Sequence, residues 1–144
     1  MGRSWDRGDL ISPKGTQAEG LFLKMLLSRG IEAEHGSPSR PGDIIVLPNI
    51  IIEIKDLKEK SFSFKQHSGK GANQWKVLRQ KLERHPWLEV YYVIRFERAH
   101  WRYFSFPDNT VPLHKLDGHE IQELLSILKE KQEHFAMSSG VDAV

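Results

Sequence analysis

Asp43, Glu53 and Lys55 are the residues of this chain best placed by type and spacing to do chemistry. Pro41-Gly42-Asp43 is followed by nine residues and then by Glu53-Ile54-Lys55. The stretch between, Ile44 to Ile52, is apolar on both sides of Pro48-Asn49. This pattern predicts a β-hairpin, Asp43–Leu47 and Ile50–Lys55, with an acid at its base and a Glu-x-Lys on its return strand. Two carboxylates on adjacent strands offer the oxygen ligands that suit Mg²⁺ or Mn²⁺. Lys55 shares a strand face with Glu53, because side chains alternate with period two. From there it can orient and acidify an attacking water beside a metal, the chemistry of metal-assisted hydrolysis.

The chemistry sets a condition on the hairpin. Directly opposed residues of an antiparallel pair share a face. A two-residue Pro48-Asn49 loop opposes Leu47 to Ile50 and turns Asp43 away from Glu53 and Lys55. A three-residue loop, or a bulge near Asp43, brings all three to one face. The site therefore requires something other than a plain two-residue turn.

The surrounding elements are read from apolar period and stop signals. Thr16 to Arg29 reads as a helix with Ala18, Leu21, Phe22, Met25 and Leu26 inward and Gly30 as its stop. Ile31 to Glu34 is a candidate short strand, and residues 36–42 are a loop by composition. Residues 56–70 read as a polar, mobile connection. Ala72 to Arg84 reads as a second helix with Trp75, Leu78 and Leu82 inward. Val90 to Ile94 is a buried strand and His100 to Phe106 an edge strand. A last helix opens at Asp117 or Gly118 and runs from Ile121 to about Phe135. One sheet with helices on its faces accommodates this α/β order. Residues 1–13 are expected to form a flexible arm, 14–136 one domain, and 137–144 a flexible tail.

Composition narrows the function. A chain of 144 residues, 39% of them hydrophobic, can bury one core. No apolar run is long enough to span a membrane, and Arg3, Asp6, Arg7 and Asp9 do not precede an apolar stretch as in a secretory signal. An intracellular, cytoplasmic protein of prokaryotic or viral origin is the expectation. The absence of cysteine excludes disulfides, thiolate metal sites and cysteine nucleophiles. The net charge of +2 conceals a segregation. Residues 58–84 hold eight basic side chains against two acidic ones, and residues 116–144 hold six acidic against two basic. A basic segment next to the hairpin suits a polyanion lying across it. Lys58, Lys60, Lys65, Lys70, Lys76 and Arg79 from this segment, with Lys14 and Arg40, are the candidate phosphate contacts. The seven histidines match no zinc spacing, and there is neither a Gly-rich phosphate loop nor a nucleophile elbow.

Supporting residues are Glu19, Gln74 and Ser37. Glu19 is either the end of a capping box with Thr16 or a third acid near the metal. Ser37 and Ser39 stand in the loop before Asp43, and Gln74 stands on the second helix.

Asp43, Glu53 and Lys55 at this spacing resemble the PD-(D/E)xK nuclease signature. With Lys14-Gly15 leading into a helix that carries Glu19, the loop Gly36-Ser37-Pro38-Ser39, Gln74, and Val93-Ile94-Arg95-Phe96 followed by Trp101, residues 14 to about 106 resemble an archaeal-type Holliday junction resolvase. The resemblance implies a restriction-endonuclease-like fold, a mixed central sheet flanked by helices. It implies a homodimer and Mg²⁺-dependent nicking of four-way DNA junctions, Mn²⁺ being able to substitute. It assigns Glu19, Asp43 and Glu53 to the metal and Lys55 to the water, with Gln74 and Ser37 in support. Gly42, which separates the usual proline from Asp43, departs from the family pattern, as does Ile54 in place of a common cysteine. Two other readings are a PD-(D/E)xK nuclease acting on linear or single-stranded DNA and a catalytically silent DNA-binding module.

Overall fold

A computed structural model describes residues 14–37, 43–64 and 70–138; the side chains of residues 14–16 and 70–72 are outside that description. The elements in chain order are α1 (Lys14–Ser28), β1 (Ala33–His35), β2 (Ile44–Val46), β3 (Ile50–Asp56), β4 (Ser61–Phe62), α2 (Lys70–Arg84), β5 (Glu89–Phe96), β6 (His100–Ser105), β7 (Leu113–His114), β8 (His119–Glu120) and α3 (Ile121–Ser138). Six strands form one mixed sheet in the order β1-β2-β3-β5-β6-β8. Only the central pair β3–β5 is parallel. A parallel pair needs a long crossover, and the segment carrying α2 supplies it. A two-stranded ribbon, β4 with β7, stands apart from the main sheet.

Alternation along β3 divides the core into two layers. Ile50, Ile52 and Ile54 point to the face covered by α1 and α3, where they meet Phe22, Leu26, Leu124 and Leu128. Ile51 points to the opposite face, with Trp75 and Leu78 of α2 and Phe62 of the ribbon. A strand buried on both faces reads as a continuous apolar run, which is why Glu53 stands out within it. The stop of α1 is a Schellman turn: Gly30 takes φ 74°, Gly30 N–H donates to the Leu27 carbonyl, and Ile31 N–H donates to that of Leu26.

The hairpin meets its condition. Val46 opposes Ile50 and Ile44 opposes Ile52, so Leu47-Pro48-Asn49 is a three-residue loop. Extended by one step, that register puts Asp43 opposite Glu53 and on its face.

Several expectations are corrected. His100–Ser105 is not an edge, because β8 lies outside it, opposing Arg102 to Glu120 and Tyr103 to His119. Gly118 permits that approach, since a Cβ there would stand 2.7 Å from Arg102 Cβ and 2.9 Å from the Phe104 ring. The last helix opens at Ile121, after a single 3₁₀ turn Lys115–Asp117 and β8, and it continues to Ser138. The described part of the segment after β3, residues 57–64, is not a loose polar connection: β4 pairs with β7, and Phe62 and Phe64 are each 2% exposed. These two rings pack edge to face at 5.0 Å, and Phe64 packs on Tyr92. Both rings are therefore part of the core. The first short strand is Ala33–His35, one or two residues later than the apolar pattern suggests.

Candidate active site

Four of the expected residues meet on the sheet face beneath α2. Glu53 is a charged residue only 1% exposed, within a strand of isoleucines. Lys55 lies two positions along the same strand, and its Nζ stands 3.2 Å from Glu53 Oε2. Gln74 reaches down from α2, where its Oε1 accepts from Lys55 Nζ at 2.6 Å. The ammonium also lies 5.7 Å from the centre of the Phe62 ring. An ammonium has three N–H donors. Among the described residues Glu53 and Gln74 engage two, which leaves one direction for a water or a phosphate oxygen.

Asp43 completes the group from the end of β2. Its amide donates to the Ile52 carbonyl at 3.0 Å, and its own carbonyl accepts from Gly36 N–H at 2.9 Å. Its Oδ2 accepts from Ile54 N–H at 2.7 Å, so the side chain takes a place in the strand ladder. Burial, and then the negative charge of Glu53, push the Asp43 carboxyl up to about 7; the Ile54 amide and Lys55 oppose that rise. Two carboxylates brought together in a poorly solvated place repel one another, and Lys55 offsets part of that repulsion.

Glu19 is in the other layer, on α1. Its Oε2 is bonded to His35 Nδ1, a partner that spacing alone did not suggest. Glu19 is near enough for its charge to add to the rise at Asp43. The capping-box alternative rests on Thr16, whose side chain is outside the described set. Ser37 is exposed and follows the residue that bonds Asp43. Among the phosphate candidates, Lys58 and Lys60 are exposed on the β3–β4 connection, and Lys76 and Arg79 are exposed on α2. Arg79 pairs with Glu83 and covers the Trp75 ring at 5.4 Å. Ser39, Arg40 and Lys65 lie outside the described residues, as do the side chains of Lys14 and Lys70.

Among the described residues no group of three or more His, Asp or Glu side chains is gathered to hold a metal ion. The two-carboxylate set of Asp43 and Glu53 nevertheless fits Mg²⁺, which keeps several waters and commonly takes one or two protein carboxylates. The opposition of two carboxylates on neighbouring strands is the observation in favour of such an ion.

The mixed six-stranded sheet, with helices on both faces and this acidic group beneath α2, is a restriction-endonuclease-like fold. The chain is similar to the 1.6 Å structure of Archaeoglobus fulgidus Hjc, a Holliday junction resolvase from an archaeal hyperthermophile. The TM-score is 0.57 at 23% sequence identity, over 79% of this chain and 97% of that one. No protein-family model matches the chain, and no curated protein matches it in sequence. No described helix is long and apolar enough to cross a membrane.

Proposed function

We propose that this protein is a Holliday junction resolvase, a Mg²⁺-dependent endonuclease that nicks four-way DNA junctions by phosphodiester hydrolysis. The observation that carries the reading is the convergence of Asp43, Glu53, Lys55 and Gln74 on one sheet face of a fold shared with Hjc. Asp43 and Glu53 hold the ion, and Glu19 adds negative charge from α1. The bound ion supplies Lewis acidity toward the scissile phosphate and its attacking water. Lys55 directs its remaining N–H donor to that water, and Gln74 fixes where the ammonium points. Lys58, Lys60, Lys76 and Arg79 meet DNA phosphates, which position the substrate and carry no sequence information. Paired nicks across a junction need two sites related by a twofold axis, so the active species is a homodimer acting inside the cell.

The deciding experiment presents the protein and Mg²⁺ with a labelled four-way junction and a linear duplex of the same sequence. Paired nicks in the junction alone are expected, abolished by Glu53→Gln. Preferential cutting of linear or single-stranded DNA would assign the same chemistry to another substrate. Binding without cutting in either Mg²⁺ or Mn²⁺ would leave a silent DNA-binding module. Light scattering at a cleaving concentration should give twice the monomer mass.

A further inference from the structure

One polar group beneath α2 is explained neither by the ion pairs nor by the apolar packing. Tyr92 lies on β5 directly beside Glu53 of β3 and on the same face. It is 0% exposed, and its ring packs against Phe64 at 5.7 Å and Phe106 at 6.2 Å. Its hydroxyl is buried with no hydrogen-bond partner among the described residues. A buried hydroxyl left unpaired costs about 1–3 kcal/mol. Phenylalanine would keep both ring contacts and remove that cost, so packing alone does not account for tyrosine here.

The surroundings indicate what the hydroxyl is for. Burial, and then the charges of Glu53 and Asp43, hold the phenol far above its ordinary acidity range, which puts both carboxylates within electrostatic reach of it. A neutral phenol is a hydrogen-bond donor, and a carboxylate is an acceptor. Lys55 approaches Glu53 along β3, at 3.2 Å from Oε2, whereas Tyr92 approaches from the neighbouring strand. Donors from two directions restrain the plane of a carboxylate. Such outer donors orient ligating groups, and their loss commonly weakens metal affinity by about 10–100-fold.

We propose that Tyr92 is a positioning residue of the acidic site, its hydroxyl donating to the Glu53 carboxylate when that carboxylate holds a divalent cation. The inference rests on the ion site of the function proposed above and is independent of which DNA is cut.

The test compares wild type with Tyr92→Phe. Without metal, the variant should be as stable as wild type or more so in urea denaturation, because an unpaired hydroxyl has been removed. Calorimetric titration with Mn²⁺ should show affinity lowered by about tenfold or more. Turnover number should fall while KM for DNA holds. In wild type the tyrosine Raman doublet, which reports phenol hydrogen bonding, should change on adding Mg²⁺, and that change should vanish in the variant. Equal Mn²⁺ affinity in the two proteins, or a doublet that ignores the ion, overturns the proposal and leaves the nuclease reading standing. Mn²⁺ binding by wild type without cleavage of any DNA ends the nuclease reading and leaves the Tyr92 comparison valid. Wild type that binds no divalent cation overturns both.

Discussion

Asp43→Asn should make the metal-free protein more stable at neutral pH while destroying its activity. The fold raises the Asp43 carboxyl from 3.8 to about 7, chiefly by burial and next by the Glu53 charge. One unit is about 1.4 kcal/mol, so the full shift corresponds to about 4 kcal/mol. Asp43 is partly exposed, and solvent screening reduces this to about 2 kcal/mol. The sign follows from linkage. Below pH 3.8 the carboxyl is neutral in both folded and unfolded chains, and its contribution to stability is fully present. As pH rises toward 7 the unfolded chain ionises while the folded one resists, and that contribution is lost. Asparagine does not titrate, and its side-chain oxygen can still accept from Ile54 N–H. Urea denaturation in chelator, followed by tryptophan fluorescence, should give similar midpoints for the two proteins near pH 4. By pH 8 the variant should lead by about 2 kcal/mol, with unchanged m values. Mg²⁺ at pH 8 should then raise wild type more than the variant. A variant that is no more stable at pH 8 than at pH 4, relative to wild type, would refute the picture of Asp43 as an acid held against its ordinary tendency.

Other outcomes test neighbouring steps. Lys55→Ala should slow single-turnover cleavage by about 100-fold or more, with little change in junction affinity, because it acts on the nucleophile; the reverse pattern in gel-shift and quench measurements would make it a phosphate anchor. Gln74→Ala should lower the rate by about 10-fold through a less constrained Lys55, and combining it with Lys55→Ala should add nothing further. Asp56→Ala should cost about 3 kcal/mol in urea denaturation, because the fully buried Asp56 side chain holds Arg95 through bonds of 2.9 and 2.6 Å. Replacing Lys58 and Lys60 by glutamate should weaken junction and duplex binding together and flatten the dependence of affinity on salt.

The parts legible in the sequence are those that local pattern controls. Alternation along Ile50–Lys55 and the required hairpin register correctly placed Asp43, Glu53 and Lys55 on one face, because strand geometry is periodic and a loop length fixes the register. The apolar stripe of α2 oriented Trp75 and Leu78 in the same way. Contacts made across long sequence separations were not legible. Phe62 and Phe64 looked like isolated aromatics in a polar segment, and only contacts made far along the chain, with Tyr92 and with Leu113 of β7, bury them. The same holds for β8, too short at two residues to show a period, and for the His35 partner of Glu19. Tyr92 was hidden for a different reason. Its strand is apolar on both faces, so nothing in its neighbours distinguishes a core ring from a ring whose oxygen borders a site.

Three unfavourable features therefore crowd onto one patch of the sheet. A carboxylate is 1% exposed in the middle of an isoleucine run, a second is pushed toward neutrality by burial and by the charge of the first, and a phenol beside them has no hydrogen-bond partner among the described residues. Each costs stability on its own, and a fold shaped only by stability would have isoleucine, asparagine and phenylalanine at these places. They are not scattered, as unrelated imperfections would be. All three lie within the group that Lys55 and Gln74 organise, and each would be relieved by the same event, the binding of a divalent cation at Asp43 and Glu53 proposed above. A cation there would offset the repulsion between the acids and would fix the Glu53 carboxylate as an acceptor for the Tyr92 hydroxyl. A single ligand that answers three separate deficits is a stronger argument for an ion site than any one of the residues provides alone.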